Sequence, residues 1–77
     1  MRKKIAKYYR REILKHGAEI VREEWIKESK RKKDWCFVVE VNYKGFNIFA
    51  PDDNELSSYK GAYNCVKLVD EELKEET

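Results

Sequence analysis

The chain has 77 residues, of which 42% are hydrophobic and 42% charged, and its net charge is +2 at pH 7. This length allows one small domain with a core, which excludes a disordered tail. No apolar stretch approaches the roughly 20 residues that cross a bilayer, and no apolar segment follows the basic start, so we expect neither a membrane span nor a signal peptide. We therefore expect a cytoplasmic protein with reduced thiols at Cys36 and Cys65, with a disulfide between them as the alternative.

The small net charge hides a strong division along the chain. Residues 1–33 hold 13 Lys or Arg and 5 Asp or Glu, whereas residues 34–77 hold 4 and 10. The first part is therefore strongly basic and the second strongly acidic. Such asymmetry predicts either an acidic partner for the basic part or pairing between the two parts of the same chain.

The first predicted element is a long helix over about residues 2–30, which lack proline and are rich in helix-forming side chains. Lys15-His16-Gly17 has the pattern of a helix C-terminus, so a helix that kinks or ends at Gly17 is the alternative. The spacing predicts buried positions at Ile5, Tyr9 and Ile13 before the glycine, and at Leu14, Ala18, Val21 and Trp25 along a second line.

The second predicted element is a β-hairpin over about residues 35–50, which are rich in β-branched and aromatic side chains. A two-residue turn at Lys44-Gly45 sorts most of the apolar side chains onto one face, although Lys44 is a poor residue for positive φ. This register pairs Tyr43 with Phe46, Val41 with Ile48 and Val39 with Ala50. The predicted buried face is then Trp35, Phe37, Val39, Val41, Tyr43, Phe46 and Ile48.

The last predicted element is a helix over about residues 55–75, capped by Asp52 or Asp53 or starting later at Ser57 or Ser58. The resulting fold class is α+β with the order α-β-β-α in a single domain over residues 1–77. Its antiparallel hairpin has the apolar face covered by both helices, because a lone hairpin is marginally stable.

The sequence offers little support for catalysis. His16 is the only histidine, neither cysteine lies near it in the sequence, and no metal-binding, phosphate-loop or nucleophile motif occurs. We therefore expect a protein that is not an enzyme and that needs no metal or other cofactor.

The leading functional hypothesis is DNA or RNA binding through the basic first helix. Its amino-terminal end carries cations where the helix dipole favours carboxylates, and the cations repeat along one face as phosphates do along nucleic acid. Tyr8 adds a ring that can stack on a base or sugar. The candidate contacts are Lys4, Lys7, Tyr8, Arg10, Arg11, Lys15, Arg31, Lys32, Lys33 and Lys44.

Two structural explanations compete with this hypothesis. If the two helices lie antiparallel, residues 2–11 run beside residues 70–76, and the two charge clusters neutralise each other. Separately, the four cations at residues 30–33 can be the solvated end of the first helix, where the helix dipole favours positive charge.

The alternative function is a protein-interaction or inhibitor module that binds a larger nucleic-acid-handling protein. Its acidic last helix would imitate phosphates, and apolar side chains on the uncovered face of the hairpin would contact the target or a second copy in a homodimer. The candidate contacts for this alternative are Val38, Phe49, Glu71, Glu72 and Glu75.

Overall fold

The computed structural model describes the backbone of residues 2–27 and 35–75, and the side chains of residues 4–27 and 35–74. The chain forms a helix, three strands and a second helix, in the order α-β-β-β-α. This order confirms the α+β class with a hairpin and two helices. The elements are α1 (Arg2–Lys15), β1 (Glu19–Lys27), β2 (Trp35–Tyr43), β3 (Phe46–Asp52) and α2 (Glu55–Glu75).

The predicted long first helix is wrong beyond Lys15. Gly17 has φ of +91°, its amide donates to the carbonyl of Leu14, and the chain then turns back as β1. Glycine adopts this left-handed conformation without the steric cost of a Cβ atom, so the local signal for a helix end was the correct one. Pairing with β2 overrides the helix propensity of residues 19–27.

The sheet has the strand order β1-β2-β3, and both strand pairs are antiparallel. The predicted hairpin register is confirmed, since Tyr43 pairs with Phe46 and the rest of the ladder follows. Lys44 and Gly45 have φ of 49° and 84°, the positive values that a type I′ turn needs at both central positions. The unpredicted strand β1 pairs Trp25 with Phe37, and its register shifts between Ile20 and Arg22.

The core lies between one face of the sheet and the two helices. It contains buried side chains from α1, β2, β3 and α2 and from the turn before β1, and Ile20 of β1 packs against it partly buried. The buried residues are Ala6, Ile13, Ala18, Phe37, Val39, Val41, Tyr43, Ile48, Tyr59, Ala62 and Val66. Trp35 and Phe46, predicted for this face, lie at its ends and are exposed. Ile5, Leu14 and Val21 are also exposed, which corrects their predicted burial. Cys36 and Cys65 are not joined by a disulfide.

The start of α2 is capped by Asn54 and not by Asp52 or Asp53. The side-chain Oδ1 of Asn54 accepts a hydrogen bond of 2.8 Å from the amide of Ser57, which is the geometry of an N-cap. Asp52 instead accepts from the amide of Asp53 at 2.7 Å. Ser58 is buried inside the helix, and its hydroxyl lies within hydrogen-bonding distance of the carbonyl oxygens of Phe37 and Ala50.

The two helices run parallel to each other, which excludes the antiparallel arrangement that charge neutralisation between residues 2–11 and 70–76 requires. The ring of Tyr9 lies 5.6 Å from that of Tyr63, and further along both helices His16 Nε2 lies 3.8 Å from Asp70 Oδ2. The reason is the third strand, because each additional antiparallel strand reverses the direction in which the chain enters α2. The acidic end of α2 therefore lies beside the carboxyl end of α1, away from the cations at its amino end.

Candidate nucleic-acid interface

The basic residues of α1 form its outward face. Lys4, Lys7, Arg11 and Lys15 are exposed, while Ala6 and Ile13 on the opposite side are buried in the core. Successive cations are three or four residues apart, which places them about 4.5–6 Å apart along the helix axis. Tyr8 joins this face with half of its surface exposed, and its ring packs edge-on against Tyr9 at 5.3 Å.

The cations of this face differ in whether a carboxylate lies within ion-pair distance. Lys15 lies 3.4 Å from the carboxylate of Glu12. Among the described side chains, no Asp or Glu lies within ion-pair distance of Lys4, Lys7 or Arg11. Neutralisation by the end of α2 therefore does not occur for these three residues within the described part of the chain.

Arg10 differs from its neighbours because it belongs to a cluster that joins three elements. Its Nε and Nη2 atoms donate to the two carboxylate oxygens of Glu23 on β1, at 2.6 and 3.2 Å. The hydroxyl of Tyr59 on α2 donates to the same carboxylate at 2.5 Å. The hydrogen bond from Arg10 is the main reason that the pKa of Glu23 lies below its usual value. Arg10 therefore links α1 to the sheet, and its guanidinium is already hydrogen-bonded to Glu23.

This cluster predicts a measurable pH dependence of folding. Since the pKa of Glu23 is lower in the folded protein than in the unfolded chain, its carboxylate stabilises the fold above its unfolded value near 4.5. That stabilisation is lost as the pH falls through the folded pKa. We expect the Glu23→Gln variant to lose less stability than the parent protein between pH 6 and pH 3, by at most about 1 kcal/mol because the pair is partly solvated.

Urea unfolding of both proteins at the two pH values measures this difference. Glu24→Gln is the matched control, because Glu24 is the next residue on β1 and lies 3.4 Å from the exposed side chain of Arg22. An equal change in Glu24→Gln would show that the effect is not specific to the cluster. An unchanged pH dependence in Glu23→Gln would show that the cluster does not contribute to acid unfolding.

Lys44 at the hairpin turn forms an ion pair with Asp70 of α2. Its Nζ lies 3.1 Å from Asp70 Oδ1, and the hydroxyl of buried Tyr43 donates to the same oxygen at 2.6 Å. These two hydrogen bonds, chiefly the one from Tyr43, lower the pKa of Asp70. Lys44 was predicted to contact nucleic acid, but the structure places it at the opposite end of α1 from Lys4 and pairs it with α2.

The residues predicted for a protein-binding surface do not come together. Glu71 and Glu72 are exposed on α2, which packs on one face of the sheet, whereas Phe49 is 51% exposed on the other face. Val38 is 0% exposed, which corrects the prediction that it contributes to a surface patch. The side chain of Glu75 lies outside the described residues, as do Arg31, Lys32 and Lys33 of the predicted basic set.

Sequence reasoning missed one pair of exposed aromatic residues. Trp25 was assigned to a helix, but it lies on β1 and faces the same side of the sheet as Trp35 on β2. An alternation of side chains along residues 19–27 would have indicated this strand. The mostly exposed pattern of β1 and its register shift remove that alternation.

Comparisons with known proteins add no assignment: no protein-family model, curated protein or solved structure matches the chain at a significant level. Within residues 2–27 and 35–75, neither helix combines the length and the apolar character needed to span a bilayer. The same described residues contain no group of three His, Cys, Asp or Glu side chains that could hold a metal ion.

Proposed function

We propose that this protein is a small nucleic-acid-binding module that contacts the phosphate backbone through the outward face of α1. The observation that carries the proposal is the exposure of Lys4, Lys7 and Arg11 without a described carboxylate partner. A polyanion is the ligand that such a row of cations favours, because each contact with a phosphate releases counterions from the nucleic acid.

The position of these cations in the helix supports the same conclusion. The first turn of α1 contains no acidic residue, although the partial positive charge of a helix amino terminus favours carboxylates there. Each cation in that turn costs the helix about 0.3–1 kcal/mol at most. An external anion at the same end would offset this cost, since it interacts favourably with both the side chains and the helix dipole.

The acidic end of α2 is a weaker candidate surface for binding. Asp70 is already engaged by Tyr43 and Lys44, and Val38 is buried. Glu71 and Glu72 are exposed, but they lie on the helix side of the sheet, whereas Phe49 faces the other side.

The salt dependence of binding tests the proposed function. We expect a labelled oligonucleotide of about 20 residues to bind at 50 mM salt, and its affinity to fall by roughly 20- to 40-fold at 200 mM for three phosphate contacts, the range spanning single strands and duplex. Fluorescence anisotropy measures the affinity, and circular dichroism at both salt concentrations checks that the protein stays folded. Absence of binding at 50 mM salt, or an affinity that does not change with salt, would reject the proposal.

A further inference from the structure

Both tryptophans of the chain lie exposed at one end of the sheet. Trp25 is 44% exposed and Trp35 is 54% exposed. In the pairing of β1 with β2, Trp25 lies opposite Phe37 and Lys27 lies opposite Trp35. Trp25 and Trp35 are therefore diagonal neighbours on the same face of the sheet, at positions whose backbones are roughly 7–8 Å apart, and Lys27 belongs to the same face. We call Trp25 and Trp35 the tryptophan surface.

The tryptophan surface is supported from the core side by other rings. The ring of Trp25 packs edge-on against buried Phe37 at 5.4 Å, and Phe37 packs against Tyr59 of α2 at 5.6 Å. This support holds Trp25 in place while nearly half of its surface remains in contact with solvent. Two large exposed aromatic residues at neighbouring positions of one sheet face indicate a binding surface, because single scattered exposed residues would need no such explanation.

The contact between Arg10 and Glu23 relates positions along α1 to positions along β1. Since β1 turns back along α1, this contact sets the two elements in register. Trp25 lies two residues beyond Glu23, about 6.8 Å further along the strand. Lys7 lies three residues before Arg10, about 4.5 Å in the same direction along the helix. Lys7 and Trp25 therefore lie within about 2 Å of the same level along the two elements.

We propose that the tryptophan surface stacks the bases of a single-stranded nucleic acid whose phosphates contact α1. This inference rests on the proposed function and adds the class of strand that is bound. A single strand presents unstacked bases, whereas a duplex keeps its bases inside and offers the indoles little to stack on. Asp52 on β3 lies opposite Phe37 on the same face, and its negative charge disfavours a phosphate beside the indoles.

The intrinsic tryptophan fluorescence of the protein reports on this surface directly, because Trp25 and Trp35 are the only two tryptophans of the chain. The titration uses oligothymidylate of about 12 nucleotides, an abasic strand of the same length and a duplex of the same length. We expect oligothymidylate to quench the fluorescence and to bind roughly 5- to 150-fold more tightly than the abasic strand for each stacked base.

Each of the other outcomes has a distinct meaning. Equal affinity for the thymidylate and abasic strands, or binding seen by anisotropy without a change in tryptophan fluorescence, overturns base stacking and leaves phosphate binding by α1 intact. No binding to any of the three ligands at 50 mM salt rejects both proposals and favours a protein ligand for the tryptophan surface.

Substitution of Trp35 provides the second measurement. Trp35→Ala should weaken binding of labelled oligothymidylate roughly 5- to 150-fold, and Trp35→Phe should restore most of the affinity because a ring remains. Phe49→Ala is the matched control, since Phe49 is equally exposed but faces the other side of the sheet. Equal losses in Trp35→Ala and Phe49→Ala, or no loss in Trp35→Ala, would overturn the inference.

Discussion

Charge reversal at Lys4, Lys7 and Arg11 should weaken nucleic-acid binding by on the order of 10²–10³-fold at 50 mM salt. The expectation follows from the counterions that three phosphate contacts release. Without these contacts, the slope of the logarithm of affinity against the logarithm of salt concentration should become less steep by about 2–3 units. Fluorescence anisotropy of a labelled oligonucleotide over a range of salt concentrations measures both the affinity and the slope.

Loss of binding in this triple variant will not reflect loss of the fold. All three side chains are exposed, and none of them has a described ion-pair partner that the substitutions would remove. Glutamate at residue 4 lies in the first turn of α1, where a carboxylate interacts favourably with the helix dipole by about 0.3–1 kcal/mol. We therefore expect the melting temperature of the variant to equal or slightly exceed that of the parent protein.

The matched control reverses three lysines on the other helix. Lys60, Lys67 and Lys74 are exposed and recur every seven residues along α2. Their reversal changes the net charge from +2 to −4, as the α1 triple does, because each of the three substitutions removes two units of charge. We expect less than about 10-fold weakening from this control, through long-range repulsion alone. Equal weakening in both triples would show that total charge, and not the α1 face, determines the affinity.

The hairpin was predictable because its signals are local. Most apolar side chains of residues 35–50 fall on one face in the register that places Lys44 and Gly45 in the turn, although Val38 and Phe49 fall on the other face. The turn energy alone would not have selected it, since lysine is unfavourable at positive φ. The burial of Val39 and Val41 on the sorted face outweighs that local cost.

The first strand was not predictable from the same kind of signal. Residues 19–27 are rich in glutamate, most of their side chains are exposed, and the shift of register after Ile20 interrupts their alternation. Ala18, Val21 and Trp25 also follow a helical spacing by coincidence. Gly17 correctly indicated the end of the helix, but the helix propensity of the following residues favoured the prediction of one long helix.

That one missed strand had a large consequence for the candidate site. With two strands, the chain enters the last helix antiparallel to the first, and the acidic end faces the basic end. With three strands, the helices are parallel, and the acidic end lies beside His16 instead. The individual partners of Arg10 and Lys44 were also beyond prediction, because Glu23 and Asp70 are distant in sequence and meet only in the folded protein.

The attachment of α1 to the rest of the molecule depends on few apolar side chains, because α1 packs mainly on α2 and makes few contacts with the sheet. Ile13 is fully buried in the core between the helices. Its removal leaves a cavity that a rigid helix pair fills poorly, since the neighbouring side chains relax only in part. The binding face of α1 is therefore positioned by a small number of residues on its opposite side.

Ile13→Ala should accordingly lower the free energy of unfolding by about 2–5 kcal/mol, the largest stability effect expected of a single substitution in α1. Urea unfolding measures the loss as a lower midpoint with an unchanged slope. Leu14→Ala is the control, because this neighbour has a similar volume but is 43% exposed, and its substitution should cost less than about 1 kcal/mol. Equal losses at the two positions would mean that the α1 face assigned to the core is wrong. The cations on the opposite side would then not share the single outward surface that phosphate binding requires.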